Sequence, residues 1–217
     1  MVKISPSILT ADFLELKGVI RELEDAGVEM LHIDVMDGAF VPNISIGFPV
    51  IESLARHTSL PLDVHLMIER PQLYIEQFAK HAERITIHFE SDCNVAETLK
   101  QIRDCGVKPA ISVKPKTPVS EIFRYLDMID MVLIMSVEPG FGGQSYIPNA
   151  TDKIAELRHE CDRRGLNNMD IQVDGGINLN TAAIAATAGA NILVAGSAII
   201  NADDIKQAVS KIRAVTN

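Results

Sequence analysis

Positive charge is scarce in this chain. Its 217 residues carry 20 Lys and Arg against 29 Asp and Glu, a formal net charge of −9, and the pI is about 5.1. That balance argues against nucleic acid or an anionic membrane as the main partner. A small anionic substrate is still allowed, because it needs only a local cradle. Cysteine is also rare: Cys93, Cys105 and Cys161 make no C-x-x-C pair and no metal-like spacing. An odd count, with no charged-then-apolar leader ahead of Lys3-Ile4-Ser5-Pro6, predicts reduced thiols in the cytoplasm. No apolar run reaches the ~20 residues of a membrane-spanning helix. No Gly-x-Gly-x-x-Gly follows the first strand, which disfavours an open dinucleotide-binding sheet.

What the chain has is apolar residues, 47% of the total, arranged in alternating short and long periodic segments. Strands are predicted at Ile4 to Leu9 (ending near Ser7), Val28 to Met36, Pro61 to Met67, Arg84 to Phe89, Lys108 to Val113, Met131 to Val137, Asp170 to Asp174 and Asn191 to Ala195. Helical patterns lie between and after them. The first runs through Leu14, Leu16, Val19, Ile20 and Leu23 behind a cap at Thr10 or Asp12. The others are Pro49 to Arg56, Pro71 to Lys80, Val95 to Cys105, Val119 to Leu126, Asn149 to Arg164, Asn180 to Ala188 and Asp203 to Val215. Eight strands alternating with eight helices, with no linker or shift in composition, predict an α/β fold: one (β/α)8 TIM barrel over residues 1–217.

In such a barrel the chemistry belongs at the C-terminal strand ends. The stretch His32-Ile33-Asp34-Val35-Met36-Asp37-Gly38 organises the rest. Alternate strand residues share a face, so His32, Asp34 and Met36 point one way and Leu31, Ile33 and Val35 the other. A carboxylate buried beside an imidazole needs compensation. That is either a hydrogen-bonded pair or a metal ion, and this segment alone leaves both open. His65 on the third strand and Asp174 on the seventh have the same inward parity. One strand histidine is more often a satisfied core residue, but two His and two Asp converging at one mouth suit a divalent transition metal. Ser7 and His88 also reach strand ends; His88 is read as structural or as support to the site. His57, His81 and His159 fall on helices or loops and are read as solvated.

A second constellation is glycine: Gly140-Phe141-Gly142-Gly143, Gly175-Gly176 and Gly196-Ser197 follow strands six, seven and eight. Each alone is an ordinary tight turn. Three in adjacent loops predict a phosphate site built from backbone N–H groups and the Ser197 hydroxyl, since these loops hold no Lys or Arg. Met36, Met67 and Met135 share inward parity. Such methionines are usually core filler, and here they have a second reading as a water-excluding wall over a planar intermediate.

These segments resemble one family along the whole chain. His32-Ile33-Asp34-Val35-Met36-Asp37-Gly38, Phe40-Val41-Pro42-Asn43, Asp63-Val64-His65-Leu66-Met67, Val137-Glu138-Pro139-Gly140-Phe141-Gly142-Gly143-Gln144 and Val173-Asp174-Gly175-Gly176 are similar to the blocks of ribulose-phosphate 3-epimerases. So are Ser5-Pro6-Ser7-Ile8-Leu9 and Ala195-Gly196-Ser197-Ala198. The resemblance implies a (β/α)8 isomerase of the pentose phosphate pathway, with a sugar phosphate as partner and one divalent metal per subunit: zinc or iron(II), with manganese or cobalt as substitutes. It implies metal ligands at His32, Asp34, His65 and Asp174, and an acid/base pair in Asp34 and Asp174. It implies substrate contacts at Ser7, His65, Gly142, Gly143, Gly176, Gly196 and Ser197. Ala39 and Lys116 stand where the family pattern leads one to expect His and Gly, both outside the ligand set.

A close relative acting on a six-carbon ketose 6-phosphate would share this chemistry. A Schiff-base aldolase or decarboxylase would need an inward lysine, and the only strand-end lysine is Lys114, beside Pro115. A non-catalytic phosphosugar-binding barrel would have no use for four ligands. Exposed helix faces on the barrel suggest a homo-oligomer.

Overall fold

The computed structural model describes residues 2–216. Eight parallel strands run β1 (Lys3–Ile4), β2 (Leu31–Met36), β3 (Leu62–Met67), β4 (Arg84–His88), β5 (Lys108–Val113), β6 (Met131–Met135), β7 (Asp170–Asp174) and β8 (Ile192–Val194). Their spatial order is β1-β8-β7-β6-β5-β4-β3-β2. The ring closes between β1 and β2, where Ser7 bridges His32 in parallel and the amides of Glu29 and His32 donate to the carbonyls of Ile4 and Pro6.

The helices are α1 (Leu16–Asp25), α2 (Phe48–His57), α3 (Ile75–Phe78), α4 (Val95–Asp104), α5 (Asn149–Arg164), α6 (Leu179–Ala188), α7 (Ser197–Ile200) and α8 (Ile205–Val215). Among the described residues, none is long and apolar enough to cross a membrane.

Strand parity divides the core in two. Leu31, Ile33 and Val35 of β2, Ile85 and Ile87 of β4, Val132 and Ile134 of β6, and Ile171 and Val173 of β7 pack outward with the helices in one large apolar cluster. The alternate residues fill the barrel. Ala110, Met131, Leu133, Met135 and Ile192 make an apolar half, while the inward-facing His32, Asp63, His65, Arg84, Thr86, His88 and Gln172 are buried polar groups. Burying so many polar side chains is costly unless they are paired, so the hydrogen bonds of that half decide what the barrel mouth can do.

Four predicted elements come out differently, and one helix forms where none was expected. The first strand stops at Ile4 because Pro6 breaks the ladder, and Ile8–Thr10 curl into a 3-10 turn capped by the Ser7 side chain. That curl delays α1 until Leu16 and leaves Leu14 92% exposed rather than core-facing. Asp12 only ties a local turn, accepting from the Leu14 amide. The helix expected from Pro71 is a 3-10 turn, Pro71–Leu73, followed by the single turn of α3. The segment expected as a helix from Val119 is 3-10 throughout, Val119–Met128. Finally, α7 begins at Ser197 directly after the Gly196 turn, where no helix was expected.

Candidate active site

β2 and β3 pair in register with Asp34 opposite His65 and His32 opposite Asp63. This register and the inward parity bring four side chains together. One ligand atom each from His32, Asp34, His65 and Asp174 lie within 4.8 Å of one another. His65 Nδ1 is 3.1 Å from Asp34 Oδ1, His32 Nε2 is 3.4 Å from Asp34 Oδ1 and 3.3 Å from His65 Nδ1, and Asp174 Oδ2 is 4.0 Å from both rings. Donor atoms each bound about 2.0–2.1 Å from one tetrahedral ion lie roughly 3.3–3.4 Å apart. The set of two imidazoles and two carboxylates therefore fits one divalent ion in chemistry, charge and spacing.

Three of the four residues are aimed by neighbours in this part of the barrel. Asp63, 1% exposed, accepts the His32 Nδ1 proton at 2.9 Å, turning His32 Nε2 toward the cluster. Gln172 Nε2 donates to the same Asp63 oxygen at 2.6 Å. The Ser7 hydroxyl donates to Asp34 Oδ2 at 2.5 Å. Ser136 Oγ donates to the carbonyls of Asp174 and Gly175 and fixes the end of β7. A metal-binding histidine held by a carboxylate on its far nitrogen is a common support for such sites.

The same neighbours set the charges. Burial alone would raise the Asp34 carboxyl, but the His32 and His65 rings beside it hold it well below the usual carboxylate range. Burial would lower the His32 ring, yet Asp34 and Asp63 raise it well above its ordinary value. Asp174 is the opposite of Asp34. Burial, reinforced by the ionised Asp34 nearby, pushes its carboxyl up to about 7. The mouth thus holds one carboxylate that is ionised at neutral pH and one that is poised to carry a proton there.

Above the cluster is an open cleft. Asp34 and Asp174 form its floor with Ser7, Met36, Met67 and Met135, and the loops of Gly142, Gly143, Gly176, Gly196 and Ser197 form its rim. His32 and His65 are wholly buried and lie beneath the floor. Among the described residues, the amides of Gly143, Gly176 and Ser197 donate to no protein acceptor, and no basic side chain lines the cleft. Such a rim offers a phosphate backbone N–H dipoles and the Ser197 hydroxyl in place of a charged side chain. Gly176 is indispensable to its shape: its φ is +63°, and a Cβ there would sit 2.3 Å from the Tyr146 backbone nitrogen. Two loops are also clamped, since Asn43 Nδ2 donates to the Gly140 carbonyl at 2.7 Å and Asp37 accepts from the amides of Ala39, Phe40 and Glu69.

The residues predicted for the site thus gather at one mouth. Sequence reasoning did not single out Asp63, Gln172 or Glu90. Asp63 and Gln172 do carry a signal, the same inward parity as His65 and Asp174, two residues below them. Glu90 lies past the end of β4, and its signal is the same two-residue step beyond His88. Of the histidines left aside, His88 is fully buried against His65, with the two Nε2 atoms 2.9 Å apart. His57 is exposed and its Nδ1 donates to the Ser53 carbonyl of its own helix.

Known proteins match at every level. A model of the ribulose-phosphate 3-epimerase family covers residues 3–200. The chain is 47% identical over 214 residues to the ribulose-phosphate 3-epimerase of Bacillus subtilis, covering 98% of this chain and 99% of that one. It is 43% identical over 213 residues to that of Methanocaldococcus jannaschii, covering 98% and 90%. Among solved structures, a 3-hexulose-6-phosphate synthase superposes with a TM-score of 0.74 at 16% identity, covering 99% and 100%. Orotidine 5'-phosphate decarboxylase from Pyrococcus horikoshii superposes with 0.70 at 14%, covering 98% of each chain. At such identities the structural likeness concerns the barrel alone. The sequence matches go further: the chain belongs to the ribulose-phosphate 3-epimerase family, isomerases acting on carbohydrates.

Proposed function

We propose that the protein inverts C3 of a ketose 5-phosphate, interconverting D-ribulose 5-phosphate and D-xylulose 5-phosphate. The observation that carries this reading is the pair of carboxylates, Asp34 at the end of β2 and Asp174 at the end of β7, that face one cleft from separate strands of the barrel. The C3 proton lies α to the C2 ketone, so its removal leaves an enediolate. Inversion requires a proton to leave one face and another to arrive on the opposite face. One ionised and one protonated carboxylate, on strands β2 and β7, supply that pair and exchange roles in the reverse direction.

His32 Nε2, His65 Nδ1, Asp34 and Asp174 would hold one divalent ion, zinc or iron(II), with manganese or cobalt as substitutes. When bound, the ion supplies Lewis-acid stabilisation of charge developing on the sugar oxygens. The chain's own residues do the rest. Ser7 holds Asp34 with one oxygen committed, so the other faces the cluster. Met36, Met67 and Met135 keep water off the planar intermediate with soft apolar surface. The free amides of Gly143, Gly176 and Ser197 receive the phosphate. General acid–base transfer is typically worth ~10²–10⁴-fold, so positioning and charge stabilisation must supply the remainder.

The test is turnover of ribulose 5-phosphate to xylulose 5-phosphate before and after prolonged chelation, with a six-carbon ketose 6-phosphate run in parallel. Chelation is expected to abolish activity, and zinc, iron(II), manganese or cobalt to restore it. Full turnover by protein shown by elemental analysis to be metal-free would overturn the metal's role. Faster turnover of the six-carbon substrate would overturn the pentose assignment.

A further inference from the structure

A neutral imidazole has one proton, and His65 has two competing places to put it. Nδ1 lies 3.1 Å from Asp34 Oδ1, and a proton there would point into the ligand cluster and occupy the lone pair a metal needs. Nε2 lies 2.9 Å from His88 Nε2, and a proton there leaves Nδ1 free. The choice depends on whether His88 accepts or donates at Nε2.

That question is decided one residue further out. His88 Nδ1 is 3.3 Å from Glu90 Oε2. The other carboxylate oxygen, Oε1, accepts from the Lys114 amide at 2.8 Å and from the Thr117 hydroxyl. Four donors and acceptors are thereby fixed in order. The Lys114 N–H cannot reverse its direction, so Glu90 faces it as an acceptor. A carboxylate has only acceptors to offer at its other oxygen, so His88 donates from Nδ1. His88 Nε2 is then a lone pair, and His65 donates to it from Nε2.

The loop after β5 is itself clamped. The Lys153 ammonium of α5, 6% exposed, donates to the carbonyls of Lys114, Pro115 and Thr117 at 2.9, 2.6 and 2.6 Å. From the mouth side, Phe40 packs on the His88 ring with centroids 4.7 Å apart.

We propose that His88 and Glu90 are positioning residues, a two-member relay that forces His65 into the tautomer whose Nδ1 lone pair faces the metal site. The inference rests on the metal reading above. It explains why a part-buried acid and a fully buried histidine stand in line behind a ligand. It also joins the β5 loop, through Lys153, to the quality of the metal site.

Glu90→Gln tests the relay with almost no change in volume. The Lys114 N–H requires an acceptor, so the Gln carbonyl oxygen faces it and the NH2 faces His88 Nδ1. The relay is then reversed: His88 accepts at Nδ1 and donates from Nε2, and His65 carries its proton on Nδ1. Two measurements read this. Proton-detected nitrogen NMR of histidine-labelled, metal-free protein reports which His65 nitrogen is protonated. Competition of zinc between protein and a chelator reports affinity. We expect His65 Nε2–H in the wild-type protein and Nδ1–H in Glu90→Gln. Zinc affinity should fall about 10–100-fold, the usual cost of losing a partner behind a ligand, with the melting temperature little changed. An unchanged tautomer together with wild-type zinc affinity in Glu90→Gln would overturn the relay and leave the metal reading standing. If wild-type protein binds no zinc, both readings fall. The wild-type NMR measurement needs no variant: His65 protonated on Nδ1 there overturns the relay even if Glu90→Gln does not fold.

Discussion

Gly176→Ala tests the phosphate rim through a single methyl group. The residue sits at φ +63°, and an added Cβ would lie 2.3 Å from Tyr146 N, 2.8 Å from its Cα and 2.9 Å from Ser145 C. These are backbone atoms of the loop after β6, so no side-chain rotation relieves the overlap. A left-handed backbone costs a non-glycine residue about 1–2 kcal/mol, and forcing atoms into a packed site costs about 1–3 kcal/mol more. Together these predict a loss of roughly 2–5 kcal/mol. At ~2–4 °C per kcal/mol for a domain of this size, the melting temperature should fall by about 4–20 °C. The functional effect is more specific. The loops after β6 and β7 must separate, which carries the Gly143 and Gly176 amides away from a shared phosphate. Losing one charge-assisted hydrogen bond, worth about 1.5–3 kcal/mol, raises KM roughly 10–100-fold, while kcat changes little because the phosphate is held equally in ground and transition states. The assay is steady-state kinetics on ribulose 5-phosphate, with inorganic phosphate as a competitive inhibitor weakened in parallel. Gly18→Ala is the control: Gly18 lies in the exposed turn of α1 with nothing within 4 Å of an added Cβ, and there alanine should stabilise by up to ~1 kcal/mol. A Gly176→Ala protein with wild-type KM and melting temperature would refute the reasoning.

Two other outcomes follow from the buried network. Asp63→Ala strands the His32 Nδ1–H and the Gln172 Nε2–H, each costing about 1–3 kcal/mol when left unpaired. Zinc affinity should drop about 10–100-fold, as read by chelator competition, and a variant with wild-type affinity would remove Asp63 from the ligand's support. Metal affinity should also depend on pH. In the metal-free site His32 is raised and Asp174 titrates at about 7, so both hold protons at mildly acid pH that a metal must displace. Affinity should therefore rise with pH through neutrality and weaken below it, with protons released to the buffer in calorimetry; binding that is flat from pH 6 to 8 would contradict the charge assignment.

Much of this site was legible from strand parity. His32, Asp34, His65 and Asp174 lie two residues apart or at matching strand ends, and a buried parallel strand gives each inward residue a predictable direction. The glycine loops were legible because three of them follow consecutive strands. What was not legible depended on hydrogen bonds between distant segments. Asp63 and Gln172 are 109 residues apart yet share one bond, and nothing local marks Asp63 as the partner of His32. His88 looked like any core histidine until the β3–β4 pairing put it beside His65. Glu90 lies past the end of its strand, in a polar stretch that reads as solvated. The 3-10 segments were missed because periodicity distinguishes helix from strand but not an i+3 from an i+4 ladder. The late start of α1 was missed because the turn at Ile8–Thr10 answers to the Ser7 side chain rather than to an apolar repeat.

The most direct test of the central claim, epimerisation between two carboxylates on opposite faces, is isotope exchange at C3. The metal-loaded protein is run in deuterium oxide on ribulose 5-phosphate and stopped at low conversion. The proton removed from C3 stays on one carboxylate, while the other delivers a proton that has exchanged with solvent. The xylulose 5-phosphate formed should therefore carry deuterium at C3, and the remaining ribulose 5-phosphate should carry much less. A single base serving both faces would pass the substrate proton across, so early product retaining mostly protium at C3 would contradict the pairing of Asp34 with Asp174.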